Sequence, residues 1–360
     1  MKAYELDRGF VPSFEKNCEV AKETDLVWLN VREAPFSLHG VFYDEAQGQF
    51  VRMDQKVVNK VNTDVKWLNR QTAGGRVCFK TDSKYIAFHA VMYDDGGHHC
   101  THSFDQAFDI LRLNDTLPYI TYDYTFTPPR SFEGNVYTAG IGTDGVMEDR
   151  VLCLPLFNTV YELYIAVKRD AEIDFSNPYI YEKPVVFYGS SITQGGCASR
   201  PSNTYQSILS KKLRFDYTTL GFAGNAKGEI EIAEYIADLD MSVFVLDYDH
   251  NAPDAEHLRK THLPFFRAVR EKNPTLPIVI ISAPNTMPWY NWYQSRRDAI
   301  RETYETAVAE GDKNVYFIDG SELFGEEDRD LCTLDTCHPN DLGMYRMACR
   351  IEPVLKKILR

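Results

Sequence analysis

Ser190-Ser191 stands directly behind the apolar run Val185-Val186-Phe187-Tyr188-Gly189, and Ile192-Thr193-Gln194-Gly195-Gly196 follows. A serine where a chain leaves a strand, with glycines beside it, has room for an acyl group. The same residues also suit a glycine-rich turn with a helix cap. The stretch is neither a Gly-x-Ser-x-Gly elbow nor a phosphate-binding loop, whose lysine it lacks. Far downstream, Asp335-Thr336-Cys337-His338-Pro339-Asn340-Asp341 precedes the last helical stretch. A serine hydroxyl needs a base, and imidazole titrates near neutrality. The imidazole in turn needs a partner that fixes its tautomer. Asp335, on the same short stretch as His338, can reach the second ring nitrogen. Alone, this segment could be a helix cap at Asn340 or Asp341 beside a surface histidine. Serine, histidine and aspartate taken together point to nucleophilic catalysis.

Acyl transfer also needs donors for the developing oxyanion. Gly221-Phe222-Ala223-Gly224-Asn225 follows Tyr217-Thr218-Thr219-Leu220, and His250-Asn251 follows Asp247-Tyr248-Asp249. The Gly224 backbone allows close approach of an amide, and the Asn251 side chain carries another. Each alone also suits an ordinary turn or loop.

These residues need a scaffold. In the second half, strand-like runs at Val185–Tyr188, Val243–Tyr248, Pro277–Ser282 and Val315–Asp319 alternate with helical spacing at Tyr205–Leu213, His257–Arg270, Arg297–Ala309 and Leu342–Leu359. Runs apolar on both faces between amphipathic helices predict a parallel sheet covered on both sides. Ligands of such sheets bind beyond the carboxyl ends of the strands, where Ser191, Gly224 and Asn251 fall. The first half reads as short strands between turn signals: Phe42-Tyr43, Arg76–Thr81, Tyr85–Val91, Phe108–Leu113 and Tyr161–Val167, with one helical candidate at Val58–Leu68. That grammar predicts a sandwich or jelly roll. The polar stretch Asp174–Pro178 divides a β-sandwich domain, 1–176, from an α/β domain, 177–360.

The chain has 360 residues and a formal charge of -13. That field repels phosphate backbones and anionic lipid, so neither nucleic acid nor membrane is expected as a partner. No apolar run reaches the roughly 18 residues of a membrane-spanning helix. The start, Met1-Lys2-Ala3-Tyr4-Glu5-Leu6-Asp7, reads as no secretory leader, which implies a cytoplasmic location. The scattered cysteines then read as reduced thiols.

Four blocks, Gly189-Ser190-Ser191-Ile192, Gly224, Asn251 and Asp335-Thr336-Cys337-His338, resemble in their order the SGNH hydrolase (GDSL esterase/lipase) superfamily. The resemblance covers about residues 180–360 and implies a three-layer α/β/α domain with a doubly wound parallel sheet. It implies Ser191 as nucleophile, His338 as base, Asp335 as its orienting carboxylate, and an oxyanion hole from the Ser191 and Gly224 amides and Asn251. The family usually has aspartate before the nucleophile. Ser190 stands there instead, as in the subgroup with Ser-Ile-Thr-Gln-Gly-Gly. Trp67-Leu68-Asn69, Thr72-Ala73-Gly74-Gly75-Arg76 and Phe108-Asp109-Ile110 resemble the β-sandwich that precedes the catalytic domain in that subgroup. Such two-domain members look like bacterial carbohydrate esterases that remove acetyl groups from plant-type polysaccharides. The implied activity is cofactor-free and metal-free deacetylation of a poly- or oligosaccharide. The rivals are an esterase, lipase or thioesterase on a non-carbohydrate ester, and an inactive carbohydrate-binding protein.

Trp289-Tyr290-Asn291-Trp292-Tyr293 offers flat faces for sugar rings, or equally a packed lid. Trp289, Tyr290, Trp292 and His250 are therefore candidate substrate-binding residues. Arg296 and Arg297 are expected to begin the next helix, exposed or paired, with substrate contact as the alternative. His98-His99-x-x-His102, near Asp94 and Asp95, reads as a solvated loop rather than a metal site. Cys337 and Cys197 read as packed thiols.

Overall fold

A computed structural model describes residues 1–14, 18–93, 101–114, 116–129, 135–287 and 289–360. Asp94, Asp95, His98 and His99 lie outside the described residues. The chain divides into one unit of residues 1–51, 70–179 and 200–202, and a second of 52–69, 180–199 and 203–360. Helices α1 (Gln55–Val61) and α2 (Thr63–Leu68), where the sequence suggests one helical stretch, thus fold with the second unit.

The first unit carries β1 (Leu26–Asn30), β2 (Ser37–His39), β3 (Phe42–Asp44), β4 (Gln49–Val51), β5 (Arg76–Thr81), β6 (Tyr85–Met92), helix α3 (His102–Gln106), β7 (Phe108–Leu113), β8 (Thr121–Phe126), β9 (Val136–Gly142), β10 (Glu148–Cys153), β11 (Val160–Lys168) and β12 (Ile173–Asp174). One antiparallel sheet has the order β1-β11-β6-β9, a second runs β12-β5-β10-β7-β8 with β2 on β5, and β3 pairs with β4 alone. Apolar residues of both bury in one core, and Phe88 of β6 meets Phe108 of β7 at a centroid distance of 4.5 Å. This is the β-sandwich expected from the alternating runs. The short segment 200–202 attaches through buried Asp109, which accepts from the Ser202 N–H at 2.7 Å and from Arg200 at 3.1 Å.

The second unit holds β13 (Val185–Gly189), α4 (Ser191–Gln194), α5 (Tyr205–Leu213), β14 (Tyr217–Gly221), α6 (Ile230–Ala237), β15 (Val243–Asp247), α7 (Ala255–Lys272), β16 (Ile278–Ile281), α8 (Asn291–Ala309), β17 (Val315–Ile318) and α9 (Asp341–Ile358). Its parallel sheet has the order β14-β13-β15-β16-β17, a doubly wound sheet as expected. Helix α6 is not among the elements expected from the sequence. Val58, Val65 and Leu68 of the α1–α2 segment bury with Ile232 and Ile236 of α6. Buried Arg52 anchors that segment by donating to the carbonyls of Thr219, Gly221 and Leu68. An amphipathic pair of helices needs an apolar face to cover, and α6 supplies one.

Candidate active site

The strands β14, β13 and β15 lie side by side, so the loops that follow them share one edge of the sheet. Gly189 and Gly221 pair in register at the ends of β13 and β14. A Cβ on Gly189 would overlap Thr193 Oγ1 and the Asp247 carbonyl; one on Gly221 would overlap the Gln194 backbone. These two glycines let α4 sit directly on the strand ends. Ser190 caps α4, its Oγ accepting the Ile192 N–H at 3.2 Å. A small hydroxyl at 190 therefore has a local structural use.

Ser191, first residue of α4, has its Oγ 2.8 Å from His338 Nε2. His338 Nδ1 is 2.7 Å from Asp335 Oδ2. Asp335 Oδ1 accepts the backbone N–H groups of Cys337 at 3.1 Å and His338 at 2.7 Å. Partial burial pushes the Asp335 carboxyl up, but the His338 amide and ring and the Cys337 amide outweigh it and hold it at about 2. An ionised carboxylate only accepts, so the ring proton sits on Nδ1 and Nε2 is left to accept from Ser191. Thr336 takes a left-handed φ of 69° to close this turn. Asn340 then caps α9 with bonds from Leu342 and Gly343. The segment after Ser191 is pinned to the same turn: Cys197 N–H donates to Pro339 O at 3.0 Å, and the Ser199 N–H and hydroxyl both donate to Asp341.

Gly224, in the loop after β14, has φ 72°, which a glycine adopts without strain. Asn251 ends the one-turn helix Asp249–Asn251 after β15. Its Oδ1 accepts the Ala226 N–H at 3.3 Å, which turns Nδ2 the other way. Among the described residues, no protein group accepts from the N–H of Ser191, the N–H of Gly224 or Asn251 Nδ2.

Buried Asp247, not singled out from sequence, accepts from Tyr205 at 2.9 Å and from Thr193 at 3.1 Å, tying α5 and α4 to the end of β15. Burial raises its carboxyl to about 7, against the pull of those two hydroxyls. Gln194 Oε1 accepts the Ala223 N–H at 3.1 Å, linking α4 to the Gly224 loop. Arg296, expected near the surface or paired, is paired and buried: it binds Asp249 with both side chains at most 2% exposed. The signal for these residues was weak. Asp247 and Asp249 are charged residues at the end of an otherwise apolar strand, which is where a sheet of this kind puts polar machinery.

His250 Nε2 lies 3.1 Å from the Pro284 carbonyl and its Nδ1 3.7 Å from Cys337 Sγ. Both nitrogens thus face protein partners, and burial lowers the ring pKa, which favours its neutral form. Burial, then the Asp335 charge, pushes the Cys337 thiol up to about 11, so it is no nucleophile near neutrality. Trp289 and Tyr290 are 69% and 56% exposed, and Trp292 lies over the Arg296 guanidinium at 4.2 Å. Trp292 and Tyr293 both approach His250, at 6.4 Å between ring centroids. Trp289 and Tyr290 precede α8, and Asn291, Trp292 and Tyr293 form its first turn, so the helix starts earlier than the Arg297 expected from spacing. Arg297 lies 3.8 Å from Asp319. His102 Nε2 is 2.9 Å from the Pro128 carbonyl.

A doubly wound sheet thus carries serine, histidine and aspartate hydrogen-bonded in series past its carboxyl edge. Residues 182–356 match the GDSL-like lipase/acylhydrolase family, and residues 26–173 match the N-terminus of SGNH-hydrolase-type esterases. Among solved structures, a protein assigned as a GDSL-like lipase from Bacteroides ovatus ATCC 8483 is 28% identical, with a TM-score of 0.81, over 93% of this chain and 98% of that one. The salicylyl-acyltransferase SsfX3 of a tetracycline biosynthetic pathway shares the fold at 18% identity and TM-score 0.76, over 94% and 99% of the two chains. A family two carbohydrate esterase from Clostridium thermocellum shares it at 13% identity and TM-score 0.63, over 91% and 99%. No curated protein matches the chain.

Proposed function

We propose that the protein is a serine esterase that removes O-acetyl groups from carbohydrate. The observation that carries the reaction class is the series Ser191 Oγ, His338 Nε2 at 2.8 Å, and Asp335 Oδ2 at 2.7 Å from the far ring nitrogen. Ser191 Oγ attacks the ester carbonyl carbon while His338 Nε2 takes its proton. The carbonyl electron pair moves to oxygen, where the Ser191 and Gly224 amides and Asn251 Nδ2 stabilise it. The intermediate collapses, the sugar hydroxyl leaves with the proton from His338, and acetyl-Ser191 remains. Water then gives its proton to His338 and attacks; collapse frees acetate and returns the proton to Ser191 Oγ.

The carbohydrate part of the reading rests on Trp289 and Tyr290, exposed aromatic faces just before Trp292, which itself approaches His250, and on fold likeness to a carbohydrate esterase. The partner is then an acetylated sugar. A second reading follows from the likeness to an acyltransferase: an alcohol in place of water would take the acyl group. The test is acetate release from acetylated xylan, mannan and pectin fragments and from aryl esters of increasing chain length, with Ser191→Ala beside the wild type. Release from a sugar ester, lost in the variant by about 10⁶-fold, supports the proposal. Turnover confined to aryl or long-chain esters discards the carbohydrate part. Turnover that needs an added alcohol favours transfer.

A further inference from the structure

The guanidinium of Arg296 closes on both ends of the turn that carries Asn251. Its Nε donates to Asp249 Oδ1 at 2.8 Å; its Nη2 donates to the Asp249 carbonyl and, at 2.8 Å, to the Ala252 carbonyl. Asp249 and Ala252 flank His250 and Asn251. Asp249 Oδ2 accepts the Ala283 N–H at 2.7 Å, which ties the same turn to the loop after β16. From the other side, Ala226 N–H holds Asn251 Oδ1. Trp292 covers the guanidinium face. A charge pair this deeply buried is costly to desolvate and is weak evidence for stability. A planar fork is, however, well suited to fixing several acceptors at set positions, which an ammonium cannot do.

We propose that Arg296, acting through Asp249 and Ala252, is a positioning residue for the Asn251 amide and sets how well that amide meets the developing oxyanion. The inference rests on the reading of Asn251 as an oxyanion donor. Donors of this kind act on the transition state more than on bound substrate, so misplacing one lowers kcat and spares KM. A purely structural pair would lower the melting temperature and leave kcat per folded molecule unchanged.

The test measures kcat and KM on a short aryl acetate for the wild type, Arg296→Lys, Asn251→Ala and the double variant. Active sites are counted by titration with an organophosphonate. Loss of one oxyanion donor lowers kcat by roughly 10²–10³, so Asn251→Ala sets the scale. Arg296→Lys is expected to lower kcat at least about 10-fold with KM within about twofold, and to add little once Asn251 is alanine. Fully additive losses overturn the proposal, as does wild-type kcat in folded Arg296→Lys. If that variant does not fold, Asp249→Asn, which keeps the shape and drops the charge, enters the same cycle. Wild-type kcat in Asn251→Ala, with Ser191→Ala inactive, would remove Asn251 from the oxyanion hole and end the proposal by a different route.

Discussion

Asp335 serves His338 twice: one carboxylate oxygen accepts the His338 backbone N–H and the other meets the ring at Nδ1, each at 2.7 Å. One side chain thus folds the turn and orients the His338 ring. Asparagine can keep the first duty through its Oδ1 and loses the second. Asp335→Asn is expected to melt near the wild type and to lose roughly 10³–10⁴ in kcat. Turnover within about tenfold of wild type would show that the ring needs no carboxylate.

Gly189→Ala puts a methyl group against Thr193 and the Asp247 carbonyl. The expected cost is about 1–3 kcal/mol, typical of overpacking, with reduced turnover because α4 carries Ser191. Chemical denaturation with parallel activity measurements checks both. An unchanged midpoint would mean that the strand end shifts freely to accept the methyl.

Asp247 makes stability depend on pH in a definite direction. Its carboxyl lies at about 7 in the folded protein, against an ordinary 3.8. The folded state therefore keeps a proton that the unfolded chain releases, and the stability this brings is full below about pH 4 and lost as pH rises through about 7. The melting temperature of Asp247→Asn minus that of the wild type should grow from pH 5 to pH 8. A difference independent of pH would mean that Asp247 does not titrate in this window.

Trp289 has most of its surface in solvent, so Trp289→Ala should change stability by no more than about 0.5 kcal/mol. If the aromatic face stacks on sugar, KM for an acetylated oligosaccharide should rise about 3–10-fold, with KM for an aryl acetate unchanged. Equal effects on both substrates would assign the residue to the shape of the site instead.

Much of the second unit was legible because its signals are local. Buried parallel strands are short apolar runs, and Ser191, Asp335 and His338 sit where those runs or the last helix begin or end. Helix α5 and strand β5 fall within the bounds expected from spacing alone. The strands β8 and β9 are not legible in the sequence, since neither repeats a clear apolar face: β8 puts Tyr122 and Tyr124 into solvent. The role of Arg296 was out of reach for a different reason. Nothing within its own helix distinguishes it from Arg297; its partners Asp249 and Ala252 lie more than 40 positions away. The placement of 52–69 is likewise a tertiary fact, decided by which apolar face those helices cover.

That placement has a consequence for how the protein is made. Arg52 reaches its acceptors on Thr219 and Gly221 across 167 and 169 positions of chain. At about 5–20 residues per second of synthesis, α1 and α2 emerge many seconds before the strand they are anchored to. During that interval Val58, Val65 and Leu68 have no native surface to cover. The hydrolase unit is therefore closed late, by a segment born early. A gene fragment beginning at residue 177 would encode its sheet with Ser191, Asp335 and His338 but not the piece that completes its core.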